Sequence, residues 1–304
     1  MKIRVLGSAA GGGFPQWNCN CPNCDGVRRG AIRAQPRTQS SIAVSADGEN
    51  WVLINASPDI LAQLKLAPGL QPARALRDTG IRAIILVDSQ IDHTTGLLML
   101  REGAPLEVYC TDTVRRDLTE FNPIFRVLSH YCGINHHPLP LTDDAGFFVD
   151  GIAGLSFAAV PVTSKGAPYS PGRHDADDPG NNIGLAIRDA VSGRSVFYAP
   201  GLASVDAPVR EHLAHADCVM VDGTFWTDDE MVRLGVSKKY AHDIGHLPQS
   251  GAGGMMQLLA PLNARKILIH INNTNPILDE ESPQRAELAR AGIEVSYDGM
   301  EIEL

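Results

Sequence analysis

The segment 84–97 reads IILVDSQIDHTTGL, an apolar strand run that breaks directly into Asp88, Gln90, Asp92 and His93. Carboxylates and an imidazole spaced over one turn at a strand's end can converge on a cation. Two further strand-like runs end the same way: DCVMV stops at Asp222 and KILI at His270. A strand terminus suits a ligand because the sheet fixes the Cα while the following loop opens space for an ion and a substrate. Singly, each has a bland reading. Asp92 could cap the turn HTTGLLML, and a lone His270 could be a satisfied core residue. Together, Asp92, His93 and His270 form a two-imidazole, one-carboxylate facial set that leaves coordination positions open. Such a set suits a mononuclear non-haem Fe(II) centre that takes O2 and a substrate. Asp222 is a fourth ligand or a neighbour that orients one. Carboxylate–imidazole sites accept several divalent ions, so the donor types alone do not choose the metal.

These donors need strands to carry them. Short β-branched and apolar runs recur: KIRVLG, SSIAVS, WVLINA, AIILVD, LEVYC, FFVDG, LSFAAVPV, IGLAI, SVFYA, CVMVDG, KILIHI and IEVSYD. Gly, Pro, Asn or Asp bound most of them, as expected of strands. Helical patterns fall in SPDILAQLKL, HTTGLLMLREG, TVRRDLTEF, VREHLAHA, PQSGAGGMMQLLAPL and SPQRAELARAG. The last starts at an N-cap candidate, Ser282, with Pro283 at its first position. Strands dominate early and then alternate with helices, which predicts an α/β protein of two sheets packed face to face with helices outside. With 304 residues, 44% of them hydrophobic, the chain can bury a large core, and no linker or repeat divides it. It is read as one domain, 1–304. The loop 165–182, KGAPYSPGRHDADDPGNN, is long and polar and is read as a lid or substrate loop. Within it, Arg173 and His174 could pair with substrate carboxylates, although a solvated loop explains them equally well. Ser57 and Asp59, in the turn after WVLIN, could line the site; Asp59 reads more readily as a turn and helix-start residue.

The net charge of −9 is spread along the chain without a basic block, which argues against nucleic acid or an anionic membrane as partner. MKIRVLGSAAGGG lacks a long apolar stretch and reads as a first strand rather than a signal peptide. No run reaches membrane-spanning length, and a cytoplasmic location is expected. Six cysteines in a chain this long do not indicate a disulfide framework. Cys110 and Cys218 lie in apolar strands and read as buried hydrophobes. Cys132 stands near His130, His136 and His137, but no companion motif frames a metal site there. Cys19, Cys21 and Cys24, within the loop 11–26, are different. Three thiolates at Cys-x-Cys-x-x-Cys spacing can close three corners of a structural zinc tetrahedron. A histidine, His242 or His246, is expected at the fourth.

GSAAGGGFPQWNCNCPNC, TQSSIAVS, INASPDI, DSQIDHTTGL, VDGTFW, DIGHLPQSG and HINNTNPI together resemble the metallo-β-lactamase fold, and within it the family of coenzyme PQQ synthesis B proteins, over nearly the whole chain. The resemblance implies a four-layer αββα sandwich, with active-site metal ligands at Asp92, His93, Asp222 and His270. A related phosphodiesterase group implies zinc at Cys19, Cys21, Cys24 and His246, favouring His246 over His242. Asp88 and Gln90 stand where the fold's motif has two histidines, and Thr163 where hydrolases of the fold supply another. A dinuclear hydrolytic centre, which needs more nitrogen ligands to hold a bridging hydroxide, is thereby disfavoured.

The resemblance further implies a part in making pyrroloquinoline quinone (PQQ), a redox cofactor built from a crosslinked glutamate and tyrosine. The activity it implies is iron- and O2-dependent hydroxylation of the tyrosine ring of that precursor, with other proteins of the pathway as possible partners. Two alternatives are a soluble carrier of PQQ or its precursor, used in transport, and a zinc-dependent hydrolase.

Overall fold

The computed structural model describes residues 1–141, 146–171 and 178–304. Among them the strands are β1 (Lys2–Gly7), β2 (Ser41–Ser45), β3 (Trp51–Ile54), β4 (Ile81–Ile85), β5 (Leu106–Cys110), β6 (Ile134–Pro138), β7 (Leu155–Pro161), β8 (Ile183–Asp189), β9 (Ser195–Ala199), β10 (Cys218–Asp222), β11 (Arg265–Ile269), β12 (Ile293–Val295) and β13 (Glu301–Glu303). They form two mixed sheets, ordered β13-β1-β2-β3-β4-β5-β6 and β12-β11-β10-β9-β8-β7.

Burial follows from position in these sheets. β10 lies between β9 and β11, parallel to both. All five of its residues are buried, as a parallel strand covered on both faces requires. One apolar cluster, including Ile54, Ile85, Phe157, Tyr198, Met220 and Ile267, fills the space between the sheets. A second backs the β7–β12 sheet with Val209, Leu213, Leu259 and Leu288 from its helices. A third backs the β1–β6 sheet with Ile60, Leu97, Val114 and Leu128. Three apolar interfaces make four layers, the expected αββα sandwich.

Local departures have physical reasons. The segment 11–26, read as a loop, contains the start of a helix at Pro22–Arg29, begun by Pro22 and ended by Gly30. FFVDG does not form the expected strand; Phe147 makes one antiparallel bridge to Phe157. INHHP becomes β6 because its register against β5 supplies the pairing that its polar sequence hid. The last helix begins where expected: Ser282 accepts a hydrogen bond from the Arg285 amide at 3.1 Å.

The turn that carries Asp92 and His93 is docked on the exit of β3. The Ala56 amide donates to the His93 carbonyl at 2.7 Å and the Gly96 amide to the Ala56 carbonyl at 2.9 Å. A Cβ at position 96 would stand 2.2 Å from the Ser57 carbonyl oxygen and 2.7 Å from that of Ala56. Only glycine admits this approach. Gly96→Ala is expected to cost about 3 kcal/mol by overpacking, read as a lower urea midpoint at unchanged slope. A shift under about 0.5 kcal/mol would show that the turn is not held by this contact.

Candidate metal centre

The site lies at the C-terminal ends of β4, β10 and β11, which open toward one edge where the two sheets meet. From β4 the chain runs through Asp88 into the short helix Ile91–Thr94. His93 is 2% exposed. Its Nδ1–H donates to the Asp88 carboxylate, at 2.9 Å from each oxygen. That bond occupies Nδ1 and leaves Nε2 as the nitrogen open to a cation; Nε2 is buried with no hydrogen-bond partner. A buried polar atom without a partner is rare and costly.

His270 follows β11 in the left-handed region, at φ 61°. Thr224 sets its ring. The Thr224 hydroxyl has one hydrogen, and its shortest acceptor is Asp222 Oδ1 at 2.6 Å. It therefore accepts from His270 Nδ1, at 3.0 Å. In the neutral ring, Nε2 of His270 then presents a lone pair 3.3 Å from Asp92 Oδ2. Two imidazole nitrogens and a carboxylate oxygen thus face one another, with the three ligand atoms within 4.8 Å. This electron-rich focus fits a divalent cation, and Asp88 and Thr224 behave as the outer groups that orient metal-bound histidines. The glycine loop after β1 closes one side: a Cβ on Gly11 would lie 3.2 Å from Asp92 Oδ2.

A second donor group, Asp222, His246 and His270, shares His270 with the first. Asp222 is fully buried and its oxygens are engaged. Oδ2 accepts from the Leu202 amide at 2.9 Å and from His246 Nδ1 at 2.7 Å, and Oδ1 from the Thr224 amide at 2.9 Å. Such saturation suits a residue that orients its neighbours. The charges are balanced locally. Burial disfavours the Asp92 and Asp222 carboxylates, but the surrounding imidazoles outweigh it and hold both below the usual range. Burial likewise opposes the charged form of His93, yet Asp88 and Asp92 lift it to about 9, so a cation taken at Nε2 displaces a proton. Asp222 raises His246 against the same burial.

Several expected residues fall elsewhere. His246 is not at the cysteines, a correction to the zinc set: the αL residue Gly245, at φ 88°, delivers it to Asp222, where it stacks on His270 at 5.4 Å. His242 is exposed and bonded to Asp228 at 2.8 Å. Ser57 and Asp59 are turned to structural partners. Ser57 Oγ donates to Gln63 at 3.1 Å, and Asp59 accepts from the Gln39 amide at 2.9 Å. Arg173 and His174 lie outside the described residues. At the start of the loop 165–182, Gln90 Nε2 donates to the Lys165 carbonyl at 3.3 Å, and just before it Ser164 Oγ donates to the Gly245 carbonyl at 2.8 Å. Thr224 and Asp88 were missed as orienting groups; a carboxylate five residues before a histidine across a strand-to-helix turn was the available signal for Asp88. His136 and His137 bond to the Cys110 carbonyl and to Glu107, away from Cys132.

The fold and this donor set define a member of the β-lactamase superfamily; the family model described as beta-lactamase superfamily domain matches residues 50–271. The chain is 63% identical over 307 residues to coenzyme PQQ synthesis protein B of Azoarcus sp. (strain BH72), covering 100% of both. It is 60% identical to that of Azotobacter vinelandii (strain DJ / ATCC BAA-1303), again covering 100% of both. Among solved structures, Zn(2+)-bound PqqB from Methylobacterium extorquens superposes with a TM-score of 0.89 at 36% identity, covering 100% of each chain. The chain belongs to the coenzyme PQQ synthesis protein B family.

Substitutions at two carboxylates test the geometry around the centre. Asp88→Ala frees the His93 ring and is expected to weaken active-site metal binding 10- to 100-fold in chelator competition, whereas Asp88→Asn, which keeps an acceptor, stays close to wild type. Equal affinity for wild type and the alanine variant would remove Asp88 from the site. The other carboxylate is Glu230, which anchors the loop after His270 by accepting from the Thr274 hydroxyl at 2.5 Å and the Trp226 amide at 2.7 Å. Burial pushes its carboxyl up to about 7, against the pull of those hydrogen bonds. Because the folded state holds this proton more tightly than the unfolded one, stability should fall by about 3 kcal/mol as pH rises from about 4.5 to 7. Glu230→Gln should remove that fall, and denaturation midpoints across this range test it.

Proposed function

We propose that this chain acts in the synthesis of coenzyme PQQ as a mononuclear non-haem iron hydroxylase of the tyrosine ring in the crosslinked Glu-Tyr precursor. The observation that carries the reading is the partnerless Nε2 of buried His93 facing Asp92 and His270. Two ring nitrogens and a carboxylate on one side form a facial set with open positions. Fe(II) held there would supply O2 activation, which no side chain provides. Balanced, a ring C–H becomes C–OH while the second oxygen atom leaves as water, using two electrons and two protons from a small reductant such as ascorbate.

The chain's own residues position and shield. Asp88 and Thr224 lock the two ligand rings. His246, held by Asp222, has its other ring nitrogen free to hold or pass a phenol proton. Residues 163–171 form the near side of a lid: Tyr169 donates to the Ser89 carbonyl and Ser170 Oγ to Asp117 at 2.9 Å. That strap keeps bulk water from the mouth and fixes one wall for the substrate. The family's name and its metal-binding fold support a small-molecule substrate, and no helix among the described residues is long and apolar enough to cross a membrane.

The shared His270 and the Zn(2+) in the solved relative favour one second reading, a zinc hydrolase using both donor groups. The saturation of Asp222 by hydrogen bonds weighs against it. The deciding assay loads Fe(II) without oxygen, then adds precursor, ascorbate and air. The expected product carries one added oxygen by mass, and His93→Ala, still folded by circular dichroism, should lower the rate by at least about 100-fold. Binding of the finished quinone without turnover would instead indicate a carrier. Cleavage of a chromogenic phosphodiester by the zinc-loaded protein, with no oxygen adduct from the iron form, would establish the hydrolase.

A further inference from the structure

One residue past Asp88 the chain meets a further buried carboxylate. Asp117 is 1% exposed, and burying a carboxylate is costly unless its oxygens are bonded. Each oxygen here takes a hydroxyl: Ser89 Oγ donates to Oδ2 at 2.8 Å and Ser170 Oγ to Oδ1 at 2.9 Å. The backbone around it is unusual. The helix Asp112–Arg116 widens into a π-helical turn over Asp117–Phe121, in which the Asn122 amide reaches the Asp117 carbonyl, five residues back, at 2.9 Å. Such turns are rare, and many lie at functional sites.

Ser89 follows Asp88, the residue that tethers His93. The turn closes on itself, since the Gln90 amide donates to Asp88 Oδ1 at 2.9 Å, so the Asp88 carboxylate moves with the backbone of the turn. That backbone is held from outside. Asn182 bridges to Asp88, and Ser89 is gripped at both ends, its hydroxyl by Asp117 and its carbonyl by the Tyr169 hydroxyl. Tyr169 and Ser170 are neighbours, so one segment of the loop 165–182 bonds both to Ser89 and to the carboxylate that holds Ser89. The far end of the loop returns to the same helix, where Thr111 Oγ1 donates to the Gly180 carbonyl at 2.7 Å. We propose that Asp117 is a positioning residue of the metal centre: through Ser89 it fixes the turn from which Asp88 holds the His93 ring, and through Ser170 it joins that turn to the loop 165–182. The proposal rests on reading Asp92, His93 and His270 as a divalent-metal centre and is independent of the reaction run there.

The test titrates Mn(II), a hard cation suited to carboxylates rather than thiolates, into the full-length protein and counts free Mn(II) by electron paramagnetic resonance. Asp117→Ala, folded by circular dichroism, should weaken binding about tenfold. Ser89→Ala removes only one hydroxyl and should weaken it about fivefold, which carries the test should the Asp117 variant fail to fold. Asp117→Asn, which offers Ser89 an acceptor and Ser170 a donor, should stay close to wild type. In the Asp88→Ala background, Asp117→Ala should add no further loss, since its influence passes through Asp88. Unchanged affinity in folded Asp117→Ala or in Ser89→Ala, no recovery in Asp117→Asn, or losses that simply add in the double variant would overturn the positioning role. Unchanged affinity in Asp88→Ala alone would instead overturn the metal-centre reading beneath it.

Discussion

A buried imidazole can serve a cation only if one ring nitrogen is tied down and the other is left without a protein partner. At His93 the Asp88 carboxylate does the tying, and at His270 the Thr224 hydroxyl does. Each tether is short and buried, so ring orientation is set before any ligand arrives. The cost is real. Polar atoms held away from water without a bond lose free energy on the order of 1–3 kcal/mol each, and carboxylates need compensation by neighbouring charge. The site meets that cost by setting carboxylates against imidazoles: Asp88, His93, Asp92 and His270 form one chain of contacts, and Asp222, His246 and Thr224 another. Deleting any one charge strands its neighbour, which makes the cluster an interdependent unit rather than a set of separate ligands.

The fold supplies the placement because the donors come from two different sheets. Asp92 and His93 leave the β1–β6 sheet, while Asp222 and His270 leave the β7–β12 sheet. The residues after β1 sew the two together. Ala9 pairs with both Gln39 and Ile271, and Ala10 donates to the Ile271 carbonyl at 2.9 Å. Gly11, which follows, runs close to Asp92. Sheet edges that meet only through apolar packing could slide by fractions of an ångström, whereas backbone hydrogen bonds across the seam hold the register on which a ligand set depends.

Much of this was legible in the sequence, for reasons that differ by residue. Asp92, His93, Asp222 and His270 could be read because a polar, metal-capable group directly after a buried strand is conspicuous. The layered fold could be read because strands buried on both faces leave continuous apolar runs. Thr224 could not be, since a threonine two residues past a strand is indistinguishable from any turn residue until His270 is seen beside it. His246 misled because a Gly-His segment near a cysteine cluster in family resemblance carries no distance, and the 24-residue gap to Asp222 closes only in three dimensions. The contact of Asn273 with the cysteines was invisible for a related reason: it spans about 250 positions.

The left-handed backbone at His270 ties these parts into one argument. A non-glycine residue at φ 61° costs on the order of 1–3 kcal/mol and persists only where its surroundings overdetermine it. Here they do. The Thr224 hydroxyl sits 2.9 Å from the His270 carbonyl, the Ile271 amide donates to the Ser8 carbonyl, and the Asn272 amide donates to the Thr224 carbonyl at 3.1 Å. One residue further, Asn273 meets the cysteines. The chain leaving β11 is thus pinned at four consecutive residues, by Thr224 at His270 and Asn272, by the β1 seam at Ile271 and by the cysteines at Asn273. A strained turn so restrained has one available shape, and that shape points His270 at Asp92 and His93. The cysteine cluster thus lies three residues along the chain from the centre, in contact with the turn that carries His270 through Asn273.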